Sequence, residues 1–266
     1  MILRRLGTVF PSLLLLLFIL FRFVPLHAFS AKMHKGIIFD VDGTLADSWK
    51  LGFDATQLIL KRHDIPLITP EIYHECTRYA TPDRLARHAG LQPGDDEYLK
   101  VGKQLAQEFD ALYIGLVSKD TAAFFPGIEQ LLHSIPETIA VGALTNAAEQ
   151  YAHAVLRTNC PVTSRLSTSP SIYSRFQSIR GADTVPQPKP APDGLLLVCR
   201  ELNVPAHQCV YVGDSPSDGV SAHAAGMKAI GVLWGSHTAE SLRQAPFDHL
   251  CSSVEDLHAI LVEHCK

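Results

Sequence analysis

The chain has no Cys-x-x-Cys pair, no cysteine spacing of a small cross-linked scaffold and no histidine cluster at metal-ligand spacing. That excludes a disulfide-stapled fold and the common zinc-binding modules. The six cysteines (Cys76, Cys160, Cys199, Cys209, Cys251 and Cys265) are scattered. Cys199 and Cys209 fall in apolar helix and strand patterns, which points to buried thiols. Positive charge is scarce as well. Twenty-three Lys and Arg against 27 Asp and Glu leave a formal net charge of −4, so there is no basic footprint for a nucleic acid. No internal repeat is present. The one conspicuous apolar run, Leu13 to Phe21, is too short to span a bilayer comfortably.

That run opens what the chain does contain. Arg4 and Arg5 precede it and Arg22 interrupts it, the layout of a signal-peptide core. Ala28 is a candidate last residue before cleavage, although Leu26 is large for its position. Phe29 resembles the start of presequences used by algae with complex plastids, but the stretch after it is short for a transit peptide. Met33 offers an alternative start. Secretory-route targeting, plastid targeting and a cytoplasmic protein beginning at Met33 all remain open. In each case residues 1–32 are a leader outside the fold, and contact with a membrane would run through the leader alone.

Beyond it, 234 residues with ordinary apolar content are enough for one large domain, or one plus a smaller one. Gly36-Ile37-Ile38-Phe39 reads as a buried strand, and it ends in Asp40-Val41-Asp42-Gly43-Thr44. Two carboxylates one residue apart resist ionising together, and a metal ion or a shared proton would relieve them. Gly43 permits a tight turn and a close ligand approach, and Thr44 adds a hydroxyl.

Asp47 is then placed to cap a helix carrying Leu51, Ala55, Leu58 and Ile59 on one face. Thr69-Pro70 and Thr81-Pro82 look like two further helix starts. A longer helix spans roughly 95–117, with Leu105, Phe109, Leu112 and Leu116 as its stripe. Residues 47–125 therefore read as an all-helical module without strands, inserted into a core made of 33–46 and 126–266.

After Pro126-Gly127, strands alternate with helices: a helix from Ile128, a strand from Ile139 to Leu144 and a helix from Ala147 to Arg157. Residues 158–175 read as a Ser/Thr/Pro-rich loop. Its Arg165 and Arg175 are compatible with a mobile surface insertion or a contact to an anionic partner. A Pro-rich turn carries Lys189, and Cys209–Gly213 is a second buried strand ending in acid, Asp214-Ser215-Pro216-Ser217-Asp218. The alternation predicts an α/β fold with a doubly wound, Rossmann-like parallel sheet.

Four segments fall in order at strand ends or turns on one sheet edge: Asp40-Val41-Asp42-Gly43-Thr44, Leu144-Thr145-Asn146, Lys189-Pro190 and Gly213–Asp218. Together they resemble the four signature motifs of the haloacid dehalogenase-like hydrolase superfamily over roughly residues 35–262. The stretch Ala182–Pro190 is similar to the phosphoglycolate phosphatase branch, and the helical insertion matches that branch's cap. The resemblance implies a Mg²⁺-dependent phosphatase acting on a small phosphorylated metabolite.

It also implies roles. Asp40 would be the nucleophile that forms an aspartyl-phosphate, and Asp42 the general acid and base. Thr145 and Asn146 would donate to phosphoryl oxygens, and Lys189 would neutralise charge. Asp40, Asp214 and Asp218, with Asp42 through its backbone carbonyl, would hold the metal. In the cap, Arg78 stands in Cys76-Thr77-Arg78-Tyr79-Ala80-Thr81, where relatives carry a Gly-rich loop. It is either a grip for a substrate carboxylate or a solvated cation. A sugar phosphomutase, or a binding module that kept the fold without turnover, would share the same motifs.

Overall fold

The computed structural model describes residues 35–160 and 171–264; residues 1–32, where the leader is expected, lie outside the described residues. In chain order, β1 (Gly36–Phe39) leads to β2 (Ala46–Asp47), then α1 (Trp49–Arg62), α2 (Pro70–Cys76), α3 (Thr81–His88), α4 (Tyr98–Gly115) and β3 (Ala123–Phe124). Next come α5 (Ile128–Ser134), β4 (Ala140–Leu144), α6 (Glu149–Asn159), α7 (Ile172–Arg175), β5 (Phe176–Arg180) and α8 (Asp193–Leu202). The chain closes with β6 (Cys209–Gly213), α9 (Pro216–Ala224), β7 (Lys228–Val232), α10 (Ala239–Arg243), β8 (His249–Cys251) and α11 (Val254–His264).

Six strands form one parallel sheet in the order β5-β4-β1-β6-β7-β8. The chain leaves β1 toward one edge and returns to the other, so strand order reverses between β1 and β6. Ligands of open α/β sheets bind at the carboxyl ends of strands at such a switch point. In β1, Ile37 and Phe39 join the apolar core on one face while Ile38 packs on the other with Leu195, Val198 and Tyr211, all fully buried. A strand covered on both faces has to be apolar throughout, which is why Gly36-Ile37-Ile38-Phe39 shows no alternation.

Helices α1–α4 form the insertion. It is not free of strands: β2 and β3 pair antiparallel at its base, with Ala46 opposite Phe124 and Asp47 opposite Ala123. Asp47 does not cap α1. Ser48 takes the N-cap position, but its hydroxyl is spent elsewhere, on Asp42. Leu58 is 43% exposed, so the buried face of α1 runs through Leu51, Ala55, Thr56, Ile59 and Leu60 instead. Thr69 does cap α2, accepting from the Ile72 amide. The long helix is shorter at both ends than its stripe predicts; Leu105 and Phe109 are buried, whereas Leu116 is exposed. Gly102 lets α4 approach α3, since a Cβ there would fall 2.4 Å from the Pro82 carbonyl oxygen.

The expected loop at 158–175 is only partly one. Residues 161–170, with Arg165, lie outside the described residues. Thr158 and Asn159 complete α6, and the Asn159 amide holds the backbone of Ala122 and Phe124 beside β3. Ile172–Arg175 form a helical turn, and the Arg175 guanidinium donates to the Ile135 and Pro136 carbonyls. Arg175 therefore serves an internal contact rather than an anionic partner. The strand after it, β5, has no counterpart in the sequence reading. It is an edge strand whose Ser178 and Arg180 donate to Glu201, so it lacks a continuous apolar run.

Candidate active site

Asp40 is the first residue beyond β1, and its amide continues the ladder to the Val212 carbonyl at 2.8 Å. Its neighbours follow from the parallel register: Phe39 pairs with Val212 of β6 and with Ala143 of β4. The ends of β1, β4 and β6 therefore meet, bringing Asp40, Thr145 and Asp214 to one edge. Lys189 reaches the same point from its turn and is only 5% exposed. Its Nζ donates to Asp40 Oδ1 at 2.9 Å, to Asp218 Oδ1 at 2.7 Å and to the Tyr211 hydroxyl at 2.9 Å.

Charge here is buried but not balanced. One oxygen each of Asp40, Asp214 and Asp218 lies within 4.8 Å of the others, and all three residues are buried. Three carboxylates thus share one ammonium. Burial pushes the Asp40 carboxyl well above the usual carboxylate range; Lys189 opposes this, and the charges of Asp218 and Asp214 add to it. Burial also acts to raise Asp214, but His237 and the Ser236 backbone and hydroxyl donors outweigh it and hold Asp214 low. Burial works against a charged Lys189, yet Asp218 and Asp40 together raise it above its ordinary value. The surplus is negative, and all the donors are oxygens, which suits a hard divalent cation such as Mg²⁺.

The three carboxylates are not equivalent. Both Asp218 oxygens are occupied, one by Lys189 and the other by the Ser215 amide in a capping box that starts α9. Asp218 thereby orients Lys189. Asp214 is wrapped by glycines: a Cβ on Gly43, whose φ is +73°, or on Gly235 would fall 2.3 Å from its Oδ2. Thr44 is fully buried and its hydroxyl faces Asp214 Oδ1 at 3.5 Å, so it supports that carboxylate rather than a substrate.

Asp42 points away from this group. Its Oδ1 accepts from the hydroxyls of Ser48 (2.5 Å), Tyr151 (2.6 Å) and Tyr113 (3.3 Å), and its Oδ2 from Thr145 (3.2 Å). The Asp42 carboxylate is therefore not part of the metal-capable cluster, and only its backbone carbonyl remains as a ligand there. The hydroxyls of Ser48 and Tyr113 come from the insertion and those of Tyr151 and Thr145 from the sheet domain. The two tyrosine rings stack at 4.0 Å. Burial, then the charge of Asp42, raises both tyrosines well above their usual range and keeps them as donors.

Asn146 departs from its expected role. Its side-chain amide donates to the Lys189 and Arg78 carbonyls and accepts from the Lys189 amide, so it fixes the lysine's backbone. Thr145 lines the cavity beside it. Arg78 is exposed at the rim, its guanidinium 5.4 Å from the Tyr79 ring. The cavity measures about 470 Å³ and is walled by the carboxylates and Lys189 on one side and by Tyr73, Arg84 and Tyr113 of the insertion on the other. Ser48, Arg84, Tyr113, Tyr151 and His237 escape a motif reading. Tyr113 alone carried a signal, standing four residues beyond Phe109 on the α4 stripe.

This arrangement can be set beside known proteins. The sequence profile of haloacid dehalogenase-like hydrolases matches residues 37–232. The chain belongs to the haloacid dehalogenase-like hydrolase family. Among curated family members, the phosphoglycolate phosphatase of Escherichia coli O157:H7 is 27% identical over 243 residues, covering 84% of this chain and 90% of its own length. The phosphoglycolate phosphatase of Salmonella typhimurium is 27% identical with the same coverage. Among solved structures, CbbY from Rhodobacter sphaeroides in complex with xylulose-(1,5)bisphosphate superposes with a TM-score of 0.64 at 25% identity. It spans 83% of this chain and 95% of that one. A hydrolase from Pseudomonas syringae superposes at 0.68 with 22% identity, over 86% and 98%, and shares the fold. Within the family this chain is a phosphatase-like enzyme, with Asp42 supplying the second carboxylate.

Proposed function

We propose that this enzyme is a Mg²⁺-dependent phosphatase that hydrolyses a small phosphate monoester through an aspartyl-phosphate on Asp40, with 2-phosphoglycolate as the first candidate substrate. The observation that carries the proposal is the division of labour between the two strand-end carboxylates. Asp40 faces Lys189 and the metal-capable cluster, while Asp42, two residues on, is held apart by four hydroxyls.

Asp40, Asp214 and the Asp42 carbonyl would hold the cation, with Asp218 behind them. When bound, it neutralises the repulsion between an attacking carboxylate and a phosphate dianion. The remaining work belongs to the chain. Lys189 draws charge from Asp40 and the phosphoryl group and aligns the attacking oxygen. Asp40 forms the new P–O bond as the ester P–O bond breaks, and Asp42, protonated in the substrate complex, gives its proton to the departing alkoxide. Asp42 then takes a proton from the water that attacks the aspartyl-phosphate, releasing inorganic phosphate and restoring the Asp40 carboxylate and the Asp42 acid. Thr145 holds Asp42 in register. The substrate guess rests on the phosphoglycolate phosphatases among the relatives.

A panel of phosphate esters, assayed with Mg²⁺ and then with chelator, tests the reading. Magnesium-dependent phosphate release from small esters is expected. Release from none of them would leave the phosphomutase and binding-module alternatives. For the leader we propose that residues 1–32 are dispensable, so the chain starting at Met33 should fold and turn over normally. Loss of activity in that chain would contradict this.

A further inference from the structure

One cation of the cavity wall has no counter-charge. Arg84, on α3, is 6% exposed, yet among the described residues no carboxylate lies within ion-pair distance of its guanidinium. Its one hydrogen bond runs from Nη1 to the Thr56 hydroxyl at 3.0 Å, and that hydroxyl is itself committed to the Gly52 carbonyl. The guanidinium carbon lies over two aromatic rings, 5.3 Å from the Tyr73 centroid and 4.7 Å from that of Phe109. A guanidinium has five N–H donors, and among the described residues four here have no protein acceptor.

Burying an unpaired charge costs several kcal/mol, so a fold keeps one where something else completes it. The surroundings place no anion in contact with it. His88 is neutral, held down to about 3 by burial and by the Arg84 charge. Asp110, the acidic group that feels Arg84, keeps one buried oxygen unbonded and is pushed up to about 6 by burial. What Arg84 does face is the cavity it shares with Asp40 and Lys189. The two rings offer its N–H groups no anionic acceptor, and a guanidinium pairs with an oxyanion bidentately.

We propose that Arg84 is the specificity anchor of the site: it grips a second oxyanion on the leaving group of the substrate. Esters of hydroxy acids, or bisphosphates, are then preferred over esters of neutral alcohols. The inference rests on the phosphatase reading and deepens it. It also shifts the grip from Arg78, which is exposed at the rim, to a residue that is buried and preorganised. A preorganised fork loses less on binding than a flexible surface cation.

The test compares 2-phosphoglycolate with 2-hydroxyethyl phosphate, which carries a neutral hydroxymethyl group in place of the carboxylate, and with ethylene glycol bisphosphate. Wild-type enzyme should favour an anionic leaving group on the order of 100-fold in kcat/KM, the worth of a charged hydrogen-bonded pair. Whichever of carboxylate or phosphate is favoured names the oxyanion. Arg84→Met should collapse that preference toward unity, chiefly through KM, and Arg84→Lys should restore part of it. Wild-type enzyme that hydrolyses all three without preference overturns the Arg84 assignment and leaves the phosphatase reading intact. A preference that survives in Arg84→Met overturns the assignment too. Hydrolysis of none of the three, nor of any ester in the wider panel, overturns both. If Arg84→Met fails to fold, the wild-type ratio and Arg84→Lys decide.

Discussion

The sheet edge and the insertion both bury charge, and they do it in opposite ways. At the sheet edge Lys189 is bonded to two carboxylates and a tyrosine, and every polar atom of Asp218 has a partner. In the insertion, among the described residues, Arg84 has one neutral hydrogen-bond partner and one buried oxygen of Asp110 has none. The first is a hydrogen-bonded cluster with a negative surplus that suits a cation, as chemistry common to every substrate requires. The second is an open one, awaiting a group that only certain substrates bring. Removing a charge should therefore damage the edge and spare or even relieve the insertion.

The largest effect is expected at Lys189. Lys189→Met leaves Asp40 and Asp218 facing each other without their cation. It should cost about 3–5 kcal/mol of stability by chemical denaturation, as breaking a buried pair does, and abolish turnover. Near-normal stability would mean that Lys189 does not hold the edge together.

Next is Asp42. Asp42→Asn removes the proton shuttle and should slow alkyl phosphate hydrolysis by about 10²–10⁴-fold, with a smaller loss on aryl phosphates, which need little protonation. Equal losses on both classes would place Asp42 in metal or phosphate binding instead.

Tyr151→Phe is a finer cut across the contact between the two regions. Losing one of four hydroxyls to Asp42 should cost about 1 kcal/mol, or roughly fivefold in kcat on alkyl esters, again less on aryl esters. A uniform loss would mark Tyr151 as packing alone.

The last effect reverses sign. Asp110 has a folded-state pKa of about 6 against the ordinary 3.8, raised by burial. Between these values the folded protein holds a proton that the unfolded chain releases, so its contribution to stability is present below about pH 4 and is lost as pH rises through 6. Asp110→Asn should leave the melting temperature unchanged near pH 4 and raise it at pH 7.5, by about 1–2 kcal/mol of stability. A melting temperature that falls at pH 7.5 would show that Asp110 is paired after all.

This contrast also explains what could be read from the chain alone. Asp40, Asp42, Asp214 and Asp218 follow apolar runs in order, and a parallel sheet has to bring such strand ends to one edge, so the core site was legible. Lys189 was legible through its Pro-rich turn. What each group touches was not. Nothing in the motifs marks the Ser48, Tyr113 and Tyr151 hydroxyls; only the packing of α4 on α6 aims the two tyrosines at Asp42. Arg78 and Arg84 lie six residues apart with identical chemistry. Which of them is buried depends on α1 and α4, which supply Thr56 and Phe109. β5 was missed because an edge strand need not be apolar on both faces.

The central claim is that Asp40 becomes covalently phosphorylated while Asp42 only moves protons. Acid quench of Asp42→Asn during turnover of a radiolabelled aryl phosphate with Mg²⁺ tests it most directly. The account predicts label on the protein, rising toward one per chain, mapped to Asp40 and absent from Asp40→Asn. Wild-type turnover with no protein-bound label in Asp42→Asn, or label on a residue other than Asp40, would contradict it.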